Sequence, residues 1–240
     1  MTPPVIHIVI PCYNPPQDWV RTLVGRMLEL RRAVSPVDLR IILVNDGSTK
    51  GVGAVDRELL LTQLKDVRWL EHPVNKGKGA ALRTGVQAAN GSLVLFTDVD
   101  VPYTVVCMAA VVEGLIDGSD VVLGQRSDSY YTHVPRVRVA ISKLFRFVLK
   151  RILRFVISDT QCGLKGFNAK GGALFLATTV DRFLFDMEFV MLASREQDLR
   201  VTTVDARLNK GVTFTRMNMR ILVREGFNFL GLLLRSGPRG

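Results

Sequence analysis

Four short runs rich in β-branched residues, "VIHIVI" (5–10), "RIILVN" (40–45), "VRWLE" (67–71) and "SLVLFTD" (92–98), alternate with helical patterns near 17–33, 54–65 and 79–89. Strands that are apolar on both faces need cover on both sides. A parallel sheet between two helical layers supplies it. A fifth run, "DVVLGQR" (120–126), follows a further helical pattern near 103–116. The pattern predicts an α/β fold, a Rossmann-like, mostly parallel sheet flanked by helices, kept as one domain up to about residue 130. With 48% of 240 residues hydrophobic, the chain can bury a sizeable core.

Past residue 130 the pattern changes. Residues 135–157 read as one long helix that begins after Pro135. At roughly 100° per residue, Arg136, Lys143, Arg146, Lys150 and Arg154 form a basic stripe opposite Ile141, Phe145, Val148 and Ile152. Helices are also predicted at 186–196 and 217–234, with a strand near 201–205 between them. The net charge of +10 admits nucleic acid, an anionic membrane or phosphorylated substrates as partners. Its distribution narrows the choice, because no acid occurs between Asp128 and Asp159 while seven basic residues do.

Three separated cysteines, Cys12, Cys107 and Cys162, suit neither a disulfide framework nor a zinc site, which is the usage of a reducing compartment. The opening "MTPPVIHIVIPCYN" lacks the pattern of a signal peptide. No run of about 18 apolar residues predicts a membrane-spanning helix.

In open α/β sheets ligands bind beyond the carboxyl ends of the strands. Polar residues sit at three such ends: "PCYN" (11–14), "NDGS" (45–48) and "DVD" (98–100). Like charges as close as Asp98 and Asp100 repel unless a cation or proton lies between them. The pair is therefore either solvated turn chemistry or a metal-holding group. "NKGKGAAL" (75–82) is a glycine-rich turn opening a helix, whose N–H groups and Lys78 could meet a phosphate or simply cap the helix. "SDTQCGLKGF" (158–167) sets an acid, an amide, a thiol and a lysine together. With no histidine near it, Cys162 reads as packing rather than as a nucleophile. His7, His72 and His133 show no metal or triad spacing, and no G-x-S-x-G elbow occurs.

Taken together, "IVIPCYN", "LVNDGS", "NKGKGAALRTGVQAANGSLVLFTDVD", "GQR", "DTQCGLKGF" and "FDMEFVMLA" resemble the family 2 glycosyltransferases, within them the polyprenyl-phosphate branch. The resemblance runs from about residue 5 to 230. It implies a single A-type glycosyltransferase domain over 1–240, with a nucleotide-sugar half (1–130) and an acceptor half (131–240). Pro11, Tyr13 and Asn14 would shape the nucleotide cradle, Asp46 would meet the base, and Lys78 would lie near the nucleotide. Asp98 and Asp100 would be the Asp-x-Asp pair that binds Mg²⁺ or Mn²⁺. Asp159 would act as base or orienting group beside Gln161, with Arg126 and Lys165 on the acceptor phosphate.

The implied reaction is inverting, metal-dependent transfer of a glucose-like sugar from a nucleotide diphosphate sugar, expected to be UDP-linked, to a polyprenyl or dolichyl phosphate or a similar membrane acceptor. A lipid phosphate is already an anion at neutral pH, which fits the lack of an obvious base histidine. The amphipathic segment 135–157 would then rest on an anionic membrane, with the chain peripheral on its cytosolic face. "MRILVREGFNFLGLLLR" (219–235) reads as a second interfacial helix. Two rivals stand: a sugar nucleotidyltransferase, and a non-enzymatic basic module binding membrane or nucleic acid. The chain lacks the aromatic-basic interleaving of an RNA-binding sheet, so no nucleic-acid partner is expected.

Overall fold

The computed structural model describes residues 3–125, 162–182 and 184–209. Strands β1 (Val5–Cys12), β2 (Asp38–Asp46), β3 (Val67–His72), β4 (Leu93–Phe96) and β5 (Val121–Gln125) alternate with helices α1 (Trp19–Ala33), α2 (Ala54–Gln63), α3 (Lys78–Ala89) and α4 (Val105–Ile116). Then follow β6 (Lys165–Phe167), α5 (Ala169–Leu176), α6 (Phe185–Arg195) and β7 (Val201–Asp205). The strands form one seven-stranded sheet in the order β3-β2-β1-β4-β6-β5-β7.

Alternation along β1 explains the two layers. Ile6, Ile8 and Ile10 face α1, α2 and α4, where Leu23, Met27, Leu30, Leu60 and Met108 bury against them. Val9 faces the other way, into the layer of α3, α5 and α6. There Phe96, Phe167, Phe175, Phe185 and Phe189 form a cluster in which Phe175 stacks on Phe167, with ring centroids 5.3 Å apart. Offset aromatic packing of this kind adds roughly 0.5–1.5 kcal/mol per pair beyond area burial.

Among the described strands, all pairings are parallel except those of β6, which runs antiparallel between β4 and β5. The repeating strand–helix pattern does not predict this three-residue strand, nor α5 behind it. α5 starts where the Asn168 side chain accepts from the backbone N–H of Lys170 and Gly171. The direction of β6 positions the site. Lys165 pairs with Phe96, so the residues just before β6 arrive beside the turn that leaves β4.

β1 feeds β2 on one side and has β4 on its other side, so strand order reverses between β1 and β4. That crevice is the switch point of the sheet. The helix predicted at 135–157 and the segment 219–235 lie outside the described residues. Among the described residues no helix is long and apolar enough to cross a membrane.

Candidate active site

β4 ends at Phe96, two residues before Asp98, so the acidic pair stands in a turn and not on an extended strand. The turn closes with the Val101 N–H donating to the Asp98 carbonyl at 3.0 Å. Val101 adopts φ 40, a left-handed conformation that a β-branched residue reaches only under strain. Distant groups hold it there. The Asn209 side-chain amide donates to the carbonyls of Val101 (3.0 Å) and Tyr103 (2.9 Å), and its backbone N–H donates to Pro102 (2.8 Å).

Around this turn the structure gathers Lys78, Tyr103 and Gly163. The Lys78 ammonium pairs with Asp98. Burial works against that charge, but Asp98 and then Asp186 hold it above the usual lysine range. Tyr103 Oη accepts the Gly163 N–H at 2.9 Å. A Cβ at Gly163 would come within 2.8 Å of Asp98 Oδ2, so only glycine lets this backbone approach the carboxylate. Loss of solvent and the neighbouring Asp98 charge push the Asp100 carboxyl above its ordinary range.

These groups suit a divalent cation in their chemistry: two carboxyl groups one residue apart, whose like charges a cation would relieve. Among the described residues no third His, Cys, Asp or Glu joins them in a metal-binding cluster. An oxygen-seeking cation held here would take its remaining ligands from phosphate oxygens and water.

Asp46 has a different environment. It is 2% exposed. Its Oδ1 binds His72 Nδ1 (2.7 Å) and accepts the Lys76 N–H (2.9 Å); its Oδ2 accepts from Asn75 Nδ2 and the Gly77 N–H, both at 2.8 Å. Both oxygens are engaged within the protein, so the direct base contact expected of Asp46 has no free oxygen to use. The next N–H groups of the glycine-rich turn are also taken. Gly79 and Ala80 donate to the Asp181 carbonyl at 2.7 and 3.2 Å. Gly79 and Ala80 are thus capped within the protein, and Lys78 meets Asp98 through its side chain.

Asn14 joins the loops after β1 and β2. Its side-chain oxygen accepts the N–H groups of Thr49 (2.9 Å) and Lys50 (3.1 Å) at φ 44. Pro11 is buried in β1, while Tyr13 projects 47% exposed beside it.

Lys165, expected on the acceptor phosphate, is fully buried. Its ammonium donates to the Cys162 carbonyl and pairs with Asp186 at 2.6 Å. Cys162 is buried, as its packing role requires. His72 takes a structural part, and its Nε2 meets Thr84 Oγ1 at 3.0 Å. Arg126, Asp159, Gln161 and His133 lie outside the described residues. The sequence reading assigned no part to Tyr103, Asn209, Asp186 or Glu188. Only the last two carried a signal, in the "FDMEF" stretch.

Residues 7–171 match the family model described as Glycosyl transferase family 2. The chain is 29% identical over 209 residues to a dolichyl-phosphate beta-glucosyltransferase of Drosophila melanogaster, across 78% of this chain and 62% of that protein. A dolichyl-phosphate beta-glucosyltransferase of Trichomonas vaginalis is 26% identical over 238 residues, covering 94% of this chain and 72% of its own length. Among solved structures, the glucosyl-3-phosphoglycerate synthase of Mycobacterium tuberculosis, in complex with Mn²⁺, UDP and phosphoglyceric acid, shares the fold. The TM-score is 0.66 at 16% identity, over 99% of this chain and 80% of that one.

Proposed function

This chain belongs to glycosyl transferase family 2, and from that premise we propose that it transfers a sugar, glucose favoured, from a UDP-linked donor to a polyprenyl phosphate. The observation that carries the reading is the Asp98–Asp100 turn, set at the switch point of the sheet with Lys78 against it. The names borne by the similar Drosophila and Trichomonas proteins support the glucose and the lipid phosphate.

In this reading Asp98 and Asp100 would hold a divalent cation at the donor site. Mg²⁺ or Mn²⁺, when bound, supplies neutralisation for the charge that develops on the departing nucleotide diphosphate. Lys78 reaches the same oxygens from the start of α3 and adds a fixed positive charge. Tyr13 and Asn14 border the nucleotide cradle, and Asp46 serves it indirectly by fixing the 75–77 turn. Asp159 would act as base or orienting group beside Gln161, with Arg126 on the acceptor phosphate. Because the acceptor phosphate is already ionised, positioning carries most of the rate. The basic segment 135–157 holds the protein on anionic lipid.

Incubation with radiolabelled UDP-glucose, Mn²⁺ and a polyprenyl phosphate should yield a lipid-soluble label and free UDP. Release of pyrophosphate instead would overturn the reading in favour of a nucleotidyltransferase. Substituting glutamine for Lys143, Arg146, Lys150 and Arg154 should release the chain from anionic vesicles at moderate salt.

A further inference from the structure

Asp186 and Glu188 occupy the first turn of α6 and are 5% and 8% exposed. Acids are favoured at a helix N-terminus by the dipole alone, yet neither side chain is left to that weak interaction. Asp186 pairs with Lys165, whose ammonium also binds the Cys162 carbonyl. That bond fixes the peptide entering Gly163, the residue whose backbone lies against Asp98.

Glu188 turns the other way. Its Oε2 accepts the N–H groups of Thr179 and Val180, both at 2.8 Å, and its Oε1 accepts the Thr179 hydroxyl at 2.9 Å. The loop so held is the one whose Asp181 carbonyl caps Gly79 and Ala80. Arg83, one turn into α3, donates to the Val180 carbonyl at 2.9 Å and pairs with Asp181. Lys78 thus has Asp46 fixing the turn before it and the Glu188-held loop fixing the helix after it.

We propose that Asp186 and Glu188 are positioning residues for the donor site. Asp186 holds the 162–163 backbone against Asp98 through Lys165, and Glu188 holds the start of α3, with Lys78, through the 179–181 loop. One short motif thereby sets both flanks of the acidic pair from behind, touching neither donor nor cation. The inference rests on the proposed donor site. A purely stabilising role differs in its consequence: it would alter melting and leave the affinity of the site unchanged.

Asp186→Asn alone would strand the buried Lys165 ammonium and unfold part of the population. The test therefore uses Lys165→Met with Asp186→Leu, a replacement of buried ions by apolar groups that folds tolerate well, and separately Glu188→Gln. Mn²⁺ binding in the presence of UDP is read from the resonance signal of free Mn²⁺, beside a thermal melt. Asp100→Asn is the control for the site itself.

The parent should bind, and Asp100→Asn should not. Both positioning variants should melt cooperatively, with Mn²⁺–UDP affinity about tenfold or more below the parent, the size of effect that supporting residues have on metal sites. Affinities within about twofold of the parent would overturn the inference while the donor site stands. If parent and Asp100→Asn bind alike, the donor site fails and the inference falls with it.

Discussion

Asp46 ends β2 and Asp98 follows β4, the two strands that flank β1, and both come at the carboxyl edge of the sheet. Asp46 closes its strand inside a cage of four donors from the His72–Gly77 segment. Asp98 has Lys78 for a partner, and beside it stands Asp100, whose carboxyl is pushed above its ordinary range by burial and by the Asp98 charge. Equivalent places in the topology thus carry unlike chemistry. A carboxylate saturated by its own protein adds rigidity, whereas one crowded by like charge is prepared to take a cation. The donors supplied by the surrounding turns decide which outcome prevails.

The largest effect should come from breaking the acidic pair. Asp100→Asn, or excess chelator on the parent, should lower sugar transfer by about a thousandfold, as removal of a charge-stabilising group commonly does. The melting temperature of the variant should stay where it was. Transfer that survives either treatment would remove the distinction drawn for Asp98 and Asp100.

Asp46→Asn should reverse that pattern. The amide sets an NH₂ group against donors that now bind Oδ2, namely Asn75 Nδ2 and the Gly77 N–H. A loss of about 3 kcal/mol is expected from unsatisfied buried donors. For a chain of this length that corresponds to a fall in melting temperature of roughly 6–12 °C. A variant that melts like the parent but no longer binds UDP would move Asp46 into the donor site.

Asp120 extends the comparison to the opposite edge of the sheet, just before β5. The Arg200 N–H donates to its carboxylate at 2.9 Å and Asn168 Nδ2 at 2.7 Å, and the two bonds in that order hold its pKa below the usual range. A depressed folded pKa stabilises above the unfolded value of about 3.9 and is lost as pH falls through the folded value. Unfolding free energies of the parent and Asp120→Asn from urea titration should differ by about 1–2 kcal/mol at neutral pH, and the gap should close in acid. A gap that stays constant from pH 7 to pH 3 would mean the carboxylate charge plays no part.

The smallest effect concerns the thiols. Cys12, Cys107 and Cys162 are all buried, and burial pushes the Cys12 thiol up to about 12. Iodoacetamide at mildly alkaline pH should leave all three unmodified in the folded chain and alkylate them in urea. Rapid native labelling of Cys162 would show that the backbone beside Asp98 opens.

Much of the sheet is legible in the amino-acid sequence. β4, β5 and the centres of β1 and β2 are continuous apolar runs, the trace of a strand buried on both faces. The edge strand β3 instead carries Arg68 and Glu71 among its apolar residues and lies partly exposed. β6 and α5 left little, because a three-residue strand has no period to detect and "KGF" pairs only once β4 and β5 stand on either side of it. The acidic pair was legible as chemistry. Its backbone was not, since the left-handed Val101 is imposed by Asn209, more than a hundred residues away in the chain.

The amino-acid sequence by itself determined the alternation of strands and helices, the carboxyl-edge placement of the polar turns and the pairing of Asp98 with Asp100. These follow from local period and from residues adjacent in the chain. Only the tertiary structure decided that Asp46 is saturated, that Lys165 is buried with Asp186, and that the N–H groups opening α3 are capped by Asp181. Each of those depends on donors and acceptors brought together from distant segments, and the burial that makes such contacts strong arises only when the layers close.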